Sequence, residues 1–269
     1  MEQSNRESRN RKSREQKRTI NRRRFIRDVS AGVAGIALAS TFPGLARSQI
    51  GGAKNSKVVI ARHPDSVLNY STFDQSIVGE LVNAAITEFT GQAAPGLAWA
   101  QIFPGVTASS RISIKVNCIN SSCSSHPEVA FAVAEGLASM RPGGSSFPRN
   151  NIIIWDRSNG ELYNGGYTTY TGSDPDRVRC YGTPDYDSDY PININGYSRN
   201  PSSIITEDCD YLINLAVLKN HSGPGVTLCM KNHLGSINNP GGLPHGDMDP
   251  ELPDLNQEIK DVLGNKHRI

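Results

Sequence analysis

The chain has 269 residues, 37% hydrophobic and 20% charged, a globular composition with room for one large core. Its net charge of +2 averages two unlike parts: residues 1–46 hold eleven of the 28 Lys and Arg but only four of the 26 Asp and Glu, so residues 47–269 carry 17 basic against 22 acidic residues, net −5. A mildly acidic body without an RNA- or DNA-binding motif offers no footprint for nucleic acid, and five cysteines with no Cys-x-x-Cys pair exclude a zinc ribbon and a ferredoxin-type iron–sulfur run.

The first element in chain order is a targeting segment. Residues 21–27 read Asn-Arg-Arg-Arg-Phe-Ile-Arg, an arginine pair followed by a spacer, Phe, an aliphatic residue and a base, which is the twin-arginine pattern. Residues 29–40 then form an Ala- and Gly-rich apolar run, too short and small-sided for a permanent membrane span. Gly44 and Ala46 place small residues at −3 and −1 of a cleavage site. The expectation is a signal peptide over 1–46, with the twin-arginine translocase as partner during export and a periplasmic or extracytoplasmic destination. That route carries folded proteins, often with a cofactor already inserted.

Residues 47–56 read as a linker and 57–61 as a short buried strand. Residues 73–89 have helical spacing, with Ile77, Leu81, Ala84, Ala85 and Phe89 on one face. Residues 112–117 alternate like a strand. Ser125-His126-Pro127-Glu128 resembles a capping box opening an Ala-rich helix to Met140. A Pro/Gly/Ser loop covers 141–150; 151–156 is the clearest strand; 157–203, rich in Tyr, Gly, Asp and Asn, reads as a long loop or β-rich insertion. Residues 210–218 form another strand and 255–263 a helix, after which the chain stops without the strand the pattern demands. The rhythm predicts an α/β fold, a parallel or mixed sheet with helices on its faces, as a single domain over 47–269 truncated at its C-terminus. Cys118 and Cys123 are close enough to pair, though an odd total leaves a thiol over; Cys209 and Cys229 read as small buried hydrophobes.

Ligands of open α/β sheets bind beyond the carboxyl ends of the strands. Three predicted strands end in polar residues: Lys115 and Asn117, Asp156, and Lys219 with His221. A lysine inside an apolar strand needs a partner, and Asp156 is the natural one; its alternative is a strand-end lysine reaching water, and that of Asp156 a helix cap or turn residue. The densest polar stretch runs from Lys219-Asn220-His221 to Lys231-Asn232-His233, with His245 beyond. Lysines beside glycine-rich backbone suit an anionic group. Three histidines, His221, His233 and His245, are candidate metal ligands, although the spacing matches no zinc signature. His126, at a predicted helix N-terminus, either touches an anion or serves as a cap. No Walker loop, nucleophile elbow or His-Glu-x-x-His occurs.

The blocks at 114–117, His126-Pro127, 215–221, 230–235 and His245 resemble the family called domain of unknown function 362, from about Lys57 onward. Some members carry ferredoxin-type clusters; this chain has no cluster motif, so that role is not carried over, and any cofactor stays unspecified. The family usually continues past the point where this chain stops, in keeping with truncation. Its name assigns no reaction. The candidate roles are therefore ligand binding by Lys115, Asn117, His126, Lys219, Lys231 and Asn232, with His221, His233 and Asp156 as acid/base or orienting groups. The competing readings are a non-catalytic binding or redox-partner module using the same cluster, and a purely structural role.

Overall fold

A computed structural model of the chain describes residues 47–50, 57–69, 72–246 and 248–264. The export segment, residues 51–56 of the expected linker and the chain end at 265–269 lie outside the described residues. The described residues belong to one compact unit.

The unit opens with two antiparallel ribbons. Strands β1 (Arg47–Ile50) and β2 (Lys57–Ile60) pair with each other, so residues 47–50 are strand rather than linker, and β3 (Val67–Asn69) pairs with β4 (Thr72–Phe73). β2 is not the buried strand expected: Val58 and Ile60 are 55% and 40% exposed, because the ribbon sits outside the main sheet. Helix α1 (Gln75–Thr90) starts where the Asp74 carboxylate accepts the Ile77 N–H and ends at Gly91 in the left-handed region. Its inward stripe is Val78 and Ile86, with Val82 partly buried between them, one position round from the expected face, which leaves Phe89 exposed. Helix α2 (Pro95–Ile102) was not expected; its Pro-Gly start and brief apolar run carry no helical period.

The core is a four-stranded parallel sheet. Its strands are β5 (Ile112–Lys115), β6 (Ile152–Asp156), β7 (Arg179–Gly182) and β10 (Tyr211–Asn214), in the order β10-β5-β6-β7. Helix α3 (Pro127–Ala138) connects β5 to β6, and α4 (Asn159–Asn164) lies between β6 and β7. Between β7 and β10 come the hairpin β8 (Ile192–Ile194) and β9 (Tyr197–Arg199) and the short α5 (Ser203–Thr206). After β10 a second hairpin forms, β11 (Lys219–His221) with β12 (Gly225–Thr227), followed by α6 (Cys229–Asn232) and α7 (Glu251–Leu263). Among the described residues no helix is long and apolar enough to cross a membrane.

Strand alternation sends side chains to two layers. Ile112, Ile114, Ile152 and Ile154 pack with Trp99 and Phe103 and with Val133 and Leu137 of α3. Ile153, Trp155 and Leu212 face the other way, onto Ile192, Ile204, Leu234, Leu255 and Ile259. Each fully buried aliphatic side chain contributes about 1.5–3 kcal/mol. Gly136 lets α2 seat on α3: a Cβ there would lie 2.3 Å from Trp99 Nε1.

The α/β expectation holds, and two details within it are corrected. Ser125 does not cap α3; the N-cap is His126, with no side-chain bond. The Ser125 hydroxyl is already committed, accepting from Asn117 N (2.9 Å) and donating to the Leu215 carbonyl (2.8 Å). Cys229 is exposed rather than buried, and all five cysteines are free thiols, Cys118 and Cys123 included.

Candidate functional site

Chain order creates the site. From β5 the chain moves to β6 and β7 on one side, and returns as β10 on the other side of β5. The loops after β5 and β10 therefore part at the carboxyl edge of the sheet, where open α/β sheets form their crevice. In register along that edge stand Asn214, Lys115 and Trp155, with Asp156 one residue on.

Lys115 and Asp156 are 1% and 3% exposed and form an ion pair, Nζ to Oδ1 at 2.6 Å. Two charges this deep are tolerated because each also has further hydrogen-bond partners. Lys115 Nζ also donates to the Val116 carbonyl (2.7 Å) and to Asn232 Oδ1 (3.3 Å), and stands 5.4 Å from the centre of the Trp155 ring. The Asp156 carboxylate accepts the backbone N–H of Cys118 (2.6 Å) and of Arg157 (2.8 Å). Asn232 closes the network: its Nδ2 donates to Asn214 Oδ1 (2.8 Å) and the Lys115 carbonyl (3.3 Å), while its Oδ1 also accepts from Asn117 Nδ2 (3.2 Å). Gly235 lies over the pair so closely that a Cβ would meet Lys115 Nζ at 2.9 Å and Asp156 Oδ1 at 3.1 Å.

Above this base is a pocket of about 370 Å³. Lys115, Asn117, Asp156, Lys219, His221, Lys231, Asn232 and His245 all line it, although they come from four separate stretches of sequence. Lys219 Nζ is fixed by two neutral acceptors, Asn117 Oδ1 and the Cys123 carbonyl, each at 2.9 Å. Lys231, half-buried, has no hydrogen-bond partner or ion pair among the described residues. Burial, and then the nearby Lys219 ammonium, hold its amine below the usual lysine range. His221 is likewise pushed below the ordinary histidine range, by burial first and then by Lys231, His245 and Lys219. Arg157 and Glu161, not anticipated from the sequence, line the rim as an ion pair one helical turn apart. A larger surface groove of about 1010 Å³ lies between α1, α2 and α3, but it gathers few ionisable groups, and one of them, Glu135, is already paired with Arg149.

Two residues singled out from the sequence lie elsewhere. His126 is exposed, its ring against that of Phe73 with centroids 4.2 Å apart and planes tilted by 44°, away from the pocket lining. His233 is 1% exposed in the turn after α6, with Nδ1 3.1 Å from the Ser236 hydroxyl. The turn that presents Lys231 and Asn232 to the pocket carries the next side chain inward. His221, His233 and His245 are thus not gathered, and no group of three or more His, Cys, Asp or Glu that could hold a metal ion exists among the described residues.

Residues 112–263 match the family described as Domain of unknown function (DUF362). The chain belongs to this family. The DUF362 match starts at β5, later than the likeness expected from about residue 57, and it takes in the whole parallel sheet and every residue lining the pocket. No curated protein and no solved structure matches the chain.

Proposed function

We propose that this DUF362 protein binds a small anionic ligand in the pocket at the edge of its sheet, and that it does so outside the cytoplasm. One observation carries the binding reading. Both described carboxylates of the pocket are consumed, Asp156 by Lys115 and Glu161 by Arg157, which leaves the Lys219 and Lys231 ammoniums without a counter-charge. Two unbalanced, partly desolvated cations in one concavity favour an anion, which would form charge-assisted hydrogen bonds of about 1.5–3 kcal/mol each.

The pH dependence follows from the lowered amine of Lys231. A bound anion favours the protonated form and raises the amine back toward its usual range. Binding therefore takes up protons between the two values, and affinity falls as pH rises through them. His221, displaced downward from an ordinary histidine, adds a second strengthening only on the acid side. Calorimetric titration with oxalate at pH 6, 7.5 and 9, in buffers of differing ionisation heat, is expected to show proton uptake and weakest binding at pH 9. Binding that ignores pH and moves no proton would count against the reading.

Export rests on the sequence of residues 21–46. Changing Arg22 and Arg23 together to Lys is expected to retain the precursor in the cytoplasm, measured by fractionation; unchanged export of the double variant would refute it.

A further inference from the structure

The two pocket lysines differ in a way that anion binding alone does not require. Lys219 is tethered by Asn117 Oδ1 and the Cys123 carbonyl, so it is a fixed ammonium. Lys231 projects from the short α6 into the same pocket with no acceptor among the described residues. A fixed cation beside a free, half-buried amine suits a ligand with two functions, a carboxylate and an electrophilic carbon.

The histidines supply complementary proton positions. His221 Nδ1 accepts the Gly223 N–H (3.1 Å), so the neutral ring carries its proton on Nε2. His245 Nδ1 lies 2.6 Å from the Leu243 carbonyl and must donate to it, so the neutral ring has its lone pair on Nε2. One pocket therefore holds a proton donor and a proton acceptor beside the free amine.

We propose that Lys231 is a nucleophilic amine that captures a 2-oxo acid as an imine, with Lys219 holding the carboxylate. This rests on the anion-pocket reading and narrows it to a substrate class. Unprotonated Nζ attacks the carbonyl carbon. The carbonyl oxygen gains a proton from His221 Nε2, and the attacking nitrogen yields one to His245 Nε2. The carbinolamine hydroxyl then leaves as water after accepting a further proton, and a C=N⁺ bond replaces C=O. One neutral amine, one carbonyl and one proton give one iminium and one water, with no change of oxidation state: protonated His245 passes its proton to the departing hydroxyl, and His221 regains its own from solvent. The lowered proton affinity of Lys231 enlarges the reactive fraction, and the cationic product restores the charge the pocket holds.

The test is incubation of the folded protein with pyruvate and sodium borohydride, followed by peptide mass mapping. The expected product is one adduct per chain, on Lys231, heavier by one pyruvate less one oxygen atom. It should form at least about tenfold faster than on exposed Lys260. Lys231→Arg should abolish it, Lys260→Arg should not, and excess oxalate should suppress it in the unaltered protein. Labelling spread evenly over surface lysines, or an adduct indifferent to oxalate, would overturn the proposal. So would no adduct at all: if oxalate still binds, only the covalent step falls; if it does not, the anion pocket falls with it.

Discussion

Replacing Asp156 with Ala is expected to lower folding stability by about 3–5 kcal/mol, because it strands the Lys115 ammonium in a site that is 1% exposed. For a unit of this size that is a fall of roughly 10 °C in Tm. The carboxylate also accepts two backbone N–H groups, from Cys118 and Arg157, which Ala leaves unanswered. Lys115→Met is expected to cost less, since Asp156 keeps both of those donors whereas Lys115 in the first variant keeps only the Val116 carbonyl and Asn232 Oδ1. Denaturant unfolding of the two variants at pH 7 measures the asymmetry. A loss below about 1 kcal/mol for Asp156→Ala would mean the pair is not the keystone of the sheet edge.

Lys231→Met is expected to weaken oxalate binding by about 10- to 100-fold, the worth of one charge-assisted contact. It should leave folding unchanged or slightly improved. The sign follows from the lowered amine: folding disfavours the charged form, so the destabilisation is full below the folded value and fades as pH rises through it. Met removes that charge and keeps most of the stem. Lys219→Met is expected to differ in kind, losing affinity and about 1–2 kcal/mol of stability together, because Asn117 Oδ1 and the Cys123 carbonyl lose their shared donor. Equal loss of stability in the two variants would contradict these separate roles.

The parts of this fold that could be read from sequence are those whose pattern is local. The apolar runs at 112–115, 152–156 and 211–214 announce strands by themselves, and polar residues at their ends mark the sheet edge. β7 was hidden because Arg-Cys-Tyr-Gly has neither alternation nor an apolar run; it is a strand only because β6 offers an open edge. Arg157 and Glu161 gave no warning, since an ion pair one turn apart looks like any solvated helix surface until the loop places it at a pocket rim. Gly235 was visible as a residue but not as a constraint: its need to be glycine comes from Lys115 and Asp156, more than seventy positions away in the chain. His126 and His233 misled in opposite ways. Position at a helix start suggested an anion site for the first, and proximity to Lys231 suggested a shared pocket for the second, but backbone direction decides both.

One anion is expected to sit among Lys219, Lys231 and His221. Diffraction from crystals soaked in selenate, a tetrahedral oxyanion with a strong anomalous signal, tests it most directly. The expected result is an anomalous peak inside the pocket, within hydrogen-bonding distance of Lys231 Nζ, that disappears in Lys231→Met. Selenate found only on the outer surface, with the pocket filled by water alone, would contradict it.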